Sequence, residues 1–157
     1  MNILAIGAHP DDIEFGCGGT LMKYAQAGNS VFMLLLTAGE IGGLPEVRMC
    51  EQEKAAHFIK AKRVFWGDFK DTEVPRDRSV ITIIEKVIRQ VKPQVVLFNY
   101  LSDIHQDHRA LAHAALSATR YIQEVLFYEV PTTQNFEPDI FVELLLEPWS
   151  RHGLPRL

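Results

Sequence analysis

The chain opens Met1-Asn2-Ile3-Leu4-Ala5-Ile6-Gly7-Ala8-His9-Pro10-Asp11-Asp12, an apolar run that breaks abruptly into histidine, proline and paired acids. Asn2–Ala8 reads as a buried strand, because a parallel strand covered on both faces is continuously apolar rather than alternating. The segments after this strand decide the fold. Gly18–Ala27 reads as a helix with Leu21, Tyr24 and Ala25 on one face, closed by Gly28, and Ser30–Thr37 (SVFMLLLT) is a second apolar strand. Strand, helix and strand in this succession form the unit of a parallel α/β sheet.

The same alternation continues. Glu46–Lys60 is expected as a helix and Arg63–Trp66 as a short third strand. Asp77 or Ser79 can cap the next helix, where Val80, Ile81, Ile83, Ile84, Val87, Ile88 and Val91 recur at a period near 3.6. Lys92-Pro93 stops it, since the residue before proline is pushed out of the helical region. Gln94–Asn99 is a fourth strand, Asp107–Ile122 a helix and Val125–Val130 a fifth strand, with Ile140–Leu146 a candidate sixth. The expected fold is one three-layer α/β domain, a Rossmann-like, doubly wound, mostly parallel sheet. Right-handed crossovers give it the order 3-2-1-4-5. In that order the winding reverses between strands 1 and 4, and ligands of open α/β sheets bind in the crevice beyond the carboxyl ends of those strands.

Two polar segments fall at that switch point. After strand 1 comes Ala8-His9-Pro10-Asp11-Asp12-Ile13-Glu14, and after strand 4 comes Asp103-Ile104-His105-Gln106-Asp107-His108. Two histidines and one carboxylate are a donor set for a catalytic zinc site that keeps a position open, with a further carboxylate left to handle protons. Singly, an Asp pair is usually a turn or a helix cap, a His-x-x-His is more often surface histidine, and Glu14 reads as a cap of the following helix. It is their occurrence together, on two loops expected to converge, that points to a metal.

The segments AHPDDIEFGCGGTL and HQDH closely resemble the PIG-L / LmbE-like deacetylase family, and LTAGEIGG, RMCEQEKAA and FYEVPTT extend the resemblance over roughly residues 2–142. The resemblance implies zinc-dependent hydrolysis of the N-acetyl group of an N-acetylglucosamine-type substrate, with one zinc ion per chain. It matches His9, Asp12 and His108 to the zinc ligands and Asp11 to the base that deprotonates the metal-bound water. His105 matches the group that stabilises the oxyanion, as an imidazolium, with Asp107 to orient or charge it. Glu40, Arg48 and Asp71 match sugar contacts. Two nitrogens and a carboxylate could hold iron or cobalt as well. Gln106 stands where relatives often carry proline. After Val142 the text ELLLEPWSRHGLPRL departs from the family, so residues 143–157 are expected to be a divergent tail on a shortened chain. A catalytically inactive, metal-binding remnant is therefore the alternative to an active enzyme.

Other functions are disfavoured. A net charge of −4, with no basic run, gives nucleic acid or an anionic membrane nothing to attract it. The apolar runs are too short to span a bilayer. Gly16-Cys17-Gly18-Gly19 lacks the G-x-G-x-x-G spacing of a dinucleotide loop, and no acid ends strand 2. The phenylalanines and tryptophans read as core, and Cys17 as a small buried residue. With only Cys17 and Cys50, and an opening that does not read as a leader, a reduced cytoplasmic protein is expected. Its partner would be a small amino-sugar conjugate, and a homo-oligomer is compatible with the reading.

Overall fold

The computed structural model describes residues 1–144. Five strands, β1 (Asn2–Gly7), β2 (Ser30–Thr37), β3 (Arg63–Phe69), β4 (Val95–Asn99) and β5 (Glu124–Tyr128), alternate with four helices. These are α1 (Asp12–Gln26), α2 (Pro45–Ile59), α3 (Arg78–Val91) and α4 (Gln106–Ala118). The sheet is parallel throughout, in the order β3-β2-β1-β4-β5, as the sequence predicts.

The alternation of β1 explains the three layers. Leu4 and Ile6 pack with Val80, Ile84, Val87 and Leu111 on the face that α3 and α4 cover. Ile3 and Ala5 pack with Ile13, Leu21, Met33 and Ile59 on the face of α1 and α2. Both faces being dry, β1 carries no polar residue from Ile3 to its end at Gly7. On α3, Val80, Ile84, Val87 and Val91 are buried as the helical period requires. Asp77 provides the cap, accepting from Ser79 N–H at 2.7 Å.

Some boundaries differ from the sequence reading. α1 begins at Asp12 rather than Gly18 and so contains the glycine cluster of Gly16, Gly18 and Gly19. Gly16 is required by packing: a Cβ there would lie 2.0 Å from the ring of Tyr128. Glu14 is not a cap. It lies inside α1 and accepts from Gln52 Nε2 at 2.6 Å, bracing α1 against α2. α4 ends at Ala118, where Thr119 turns its hydroxyl back onto Ala115 O. Residues 140–144 form no strand, and the rest of the proposed sixth strand, with Trp149, lies outside the described residues. Among the described residues, no helix is long and apolar enough to cross a membrane.

Candidate metal centre

β1 and β4 are hydrogen-bonded neighbours, and the loops leaving their carboxyl ends meet. In the first loop, Asp12 begins α1 and folds its carboxylate back, Oδ2 accepting from Ala8 N–H at 2.9 Å and His9 N–H at 3.0 Å. In the second, His108 sits in the first turn of α4. Their donor atoms converge: His9 Nδ1 is 3.2 Å from His108 Nε2, and His108 Nε2 is 3.2 Å from Asp12 Oδ1. His9 Nδ1 is 3.6 Å from Asp12 Oδ2. Two imidazole nitrogens and a carboxylate oxygen facing one point fit a divalent metal of the zinc type. His105 also comes close, its ring 4.6 Å from that of His9 and stacked on that of His108 at 4.7 Å.

The outward nitrogens of the two ligand candidates are each held by carboxylate. His9 Nε2 lies 3.0 Å from Asp71 Oδ1 and 3.1 Å from Asp107 Oδ2. His108 Nδ1 lies 3.1 Å from Asp103 Oδ2 and 3.3 Å from Thr132 Oγ1. This places the ring hydrogen on the outward nitrogen and leaves the inward one a lone pair, the arrangement found around metal-binding histidines. Burial would lower the pKa of His9. Its bonds to Asp107 and Asp12 and the charges of Asp12 and Asp71 outweigh that and push it up to about 10. His108 is likewise raised against burial by Asp12 and Asp103. Burial alone would raise Asp12, but the two histidines hold it well below the usual carboxylate range. The crevice therefore favours positive charge, whether as ring protons or as a cation.

Asp11 occupies a left-handed backbone position, with φ at 94°. Such a non-glycine residue stores strain of about 1–3 kcal/mol that its surroundings must hold. α2 supplies the clamp: Arg48 Nη2 donates to Pro10 O at 2.8 Å and to Asp11 Oδ2 at 3.0 Å. Gln52, one turn along, accepts from Asp11 N–H at 3.4 Å. The carboxylate of Asp11 is half exposed and borders a cavity of about 380 Å³, together with His9, Asp12, His105 and His108.

The remaining sequence candidates are distributed differently from expectation. The side chain of Asp107 is turned away from His105, because the N–H groups of Thr72 and Val74 draw it inward at 2.7 and 3.2 Å. Only its backbone meets that ring, donating to His105 Nδ1 at 3.2 Å. His105 is thereby fixed with its hydrogen on Nε2. Burial, followed by the charges of His9 and His108, lowers its pKa, which works against the imidazolium expected. Asp71 borders the cavity, yet Oδ1 faces His9 and Oδ2 accepts from Ile41 N–H at 3.1 Å. Glu40 stands behind it, accepting from Asp71 N–H at 2.8 Å. Arg48 lines the cavity while engaged with Asp11.

Asp103 and Thr132, part of the motifs but given no role by the sequence, both contact His108. Phe15, expected in the core, is 73% exposed at the mouth of the cavity, a position its i+3 spacing from Asp12 could have signalled. Cys17 is buried, and burial and the nearby charge of Glu14 push its thiol far up, so it is no nucleophile. His57 and His113 are exposed on their helices, away from this centre.

The profile of the family described as GlcNAc-PI de-N-acetylase (PIG-L) matches residues 4–119, and the chain belongs to that family. Among curated relatives it is 35% identical to the uncharacterized deacetylase YaiS of Escherichia coli K12, over 88% of this chain and 80% of that one. The diacetylchitobiose deacetylase of Thermococcus kodakarensis is 34% identical, over 76% of this chain and 49% of its own length. Among solved structures, the conserved protein TT1542 of Thermus thermophilus superposes with a TM-score of 0.84 at 28% identity, covering 90% of this chain and 71% of that one.

Proposed function

We propose that the chain is a zinc-dependent N-deacetylase that removes acetate from an N-acetylglucosamine-type sugar conjugate, acting on a linear amide. The observation that carries this is the convergence of His9 Nδ1, His108 Nε2 and Asp12 within 3.6 Å, beside the half-exposed carboxylate of Asp11 and the ring of His105. Membership of a de-N-acetylase family and similarity to a diacetylchitobiose deacetylase support the reaction class and the amino-sugar substrate.

His9, Asp12 and His108 would hold the ion. Once bound, zinc polarises the amide carbonyl and lowers the pKa of water to about 7. The other residues carry protons and charge. Asp11, held by Arg48 and Gln52 at the crevice wall, accepts the proton of the attacking water and returns it to the leaving amine. His105 donates from Nε2 to the carbonyl oxygen as negative charge develops there, a contact worth about 10²–10³ in rate. Asp107 acts through His9, whose ring it orients. Asp71 adds to that hold and, with Glu40, shapes the wall met by the sugar.

Acetate release from N-acetylglucosamine and diacetylchitobiose by the zinc-loaded chain tests the proposal, with the Asp11→Ala variant as control. Release that disappears in the variant is expected. Stoichiometric zinc without release from either sugar or a longer conjugate would leave a metal-binding remnant and sink the enzyme reading.

A further inference from the structure

The proposed ligands are held by two unequal sets of acids. His9 Nε2 shares Asp71 and Asp107, whereas the outward nitrogen of His108 has one carboxylate, Asp103, and one hydroxyl, Thr132. The side chain of Asp103 is fully buried, and each of its oxygens is committed. Oδ1 accepts from His105 N–H at 2.8 Å. Oδ2 lies 3.1 Å from His108 Nδ1 and accepts from Thr133 Oγ1 at 3.1 Å.

The backbone of Asp103 is tied as well. It forms an isolated antiparallel bridge with Thr133, flanked by Ile104 N–H to Thr132 O at 3.2 Å and Gln134 N–H to Ser102 O at 2.9 Å. Pro131 and Thr132 of that opposing segment form part of the cavity wall. One carboxylate thus joins the end of β4, the ring of His108, the backbone of His105 and the segment that walls the crevice.

We propose that Asp103 is a positioning residue that fixes the metal-binding nitrogen of His108 and registers it against the crevice wall at residues 130–134. It touches neither the substrate nor the metal. Its oxygen accepts the Nδ1 hydrogen, so the ring presents Nε2 to Asp12 and His9. An amide in its place cannot satisfy both neighbours. Whichever way it faces, either His108 Nδ1–H or His105 N–H loses its acceptor, and with its N–H toward the ring it favours the tautomer whose Nε2 carries hydrogen and cannot bind. Outer carboxylates of this kind are typically worth about 10–100-fold in metal affinity.

The inference rests on His108 being a ligand, so its test is metal affinity rather than turnover. Zinc affinity is measured on the full chain by competition with a chromophoric chelator, for the wild type, Asp103→Asn and Thr133→Val. Asp103→Asn is expected to bind zinc about 10–100-fold more weakly. Thr133→Val, which removes the wall contact but leaves the carboxylate on His108, should lose thermal stability and keep wild-type affinity. Equal affinity in Asp103→Asn overturns the proposal, and so does an equal loss in Thr133→Val, which would reduce Asp103 to a loop anchor. A wild type with no zinc affinity removes the ligand reading and the proposal together. A wild type that binds zinc but releases no acetate removes only the deacetylase reading. Should Asp103→Asn fail to fold, long-range ¹H–¹⁵N spectra of the zinc-loaded wild type decide. Hydrogen on Nδ1 of His108 is expected, and hydrogen on Nε2 overturns the assignment.

Discussion

The loop after β1 and the loop after β4 deliver the same kind of group to the same point by opposite means. The first is fixed through its backbone. Asp11 sits at a positive φ, Asp12 binds two N–H groups of its own loop, and the next layer, α2, reaches over with Arg48 and Gln52 to hold Pro10 and Asp11. The second is fixed through its side chains. Buried Asp103 and Asp107 hold one histidine ring each, and Asp107 reaches across to the ring in the other loop. A strained backbone braced from outside can place a carboxylate to handle protons, whereas a buried acid can choose which ring nitrogen faces a metal. In the proposed mechanism this division gives proton transfer to one loop and tautomer control largely to the other.

The largest effects come from breaking each loop at its central residue. His108→Ala should abolish bound zinc, measured by metal content of the purified chain, and with it all turnover. Asp11→Ala should keep the zinc and lower kcat by about 10²–10⁴, the usual contribution of a general base. Zinc loss in Asp11→Ala, or full turnover, would erase the proposed division of labour.

The next effect tests the scaffold under the first loop. Gly16 packs on the ring of Tyr128, where a Cβ would approach to 2.0 Å. Gly16→Ala should therefore cost about 1–3 kcal/mol as overpacking forces α1 from β5. A melting temperature equal to the wild type would mean that the contact yields easily.

A smaller effect separates two roles of Arg48. As a clamp on Asp11, its removal in Arg48→Met should lower kcat about tenfold, near the worth of one hydrogen bond to a charged group, with little change in KM. As a sugar contact it should raise KM instead. The steady-state split measures which role dominates.

How far these features can be read in advance depends on their physics. The sheet order and the convergence of the two loops are legible because apolar period and crossover handedness act along the chain. The histidines and acids of the two loops are legible as a donor set because metal-binding residue types are few. The choice of His9, Asp12 and His108 among them comes from the resemblance to the family. What the sequence hides is direction. Asp107 is adjacent to His108 and two residues from His105, yet its side chain faces His9, 98 residues away, because the N–H groups of Thr72 and Val74 draw it there. The commitments of Asp71 to Ile41 N–H and of Asp103 to Thr133 are equally invisible along the chain. The start of α1 escapes because Gly16, Gly18 and Gly19 argue against a helix, while packing on Tyr128 requires the first of those very glycines.

The smallest predicted effect concerns what joins the two loops beneath the crevice. The hydroxyl of Tyr128 donates to Ile6 O, at the end of β1, at 2.8 Å and lies 3.1 Å from Asn99 Oδ1, at the end of β4. It therefore pins together the two strands from which the loops depart. Tyr128→Phe should cost about 1 kcal/mol, one buried hydrogen bond. The phenol is fully buried, and burial, then the charges around it, raises its pKa well above the ordinary value of 10.0. The folded state therefore keeps this proton where the unfolded chain releases it. The linked stability is complete below about pH 10 and is lost as pH rises beyond that toward the raised folded value. Chemical unfolding at pH 8 and pH 11 should show the wild type losing more stability over this interval than Tyr128→Phe, which has no phenol to titrate. An equal loss in the two proteins would mean that the pin opens to solvent before it titrates, and that the two loops are held in register by the ladder between β1 and β4 alone.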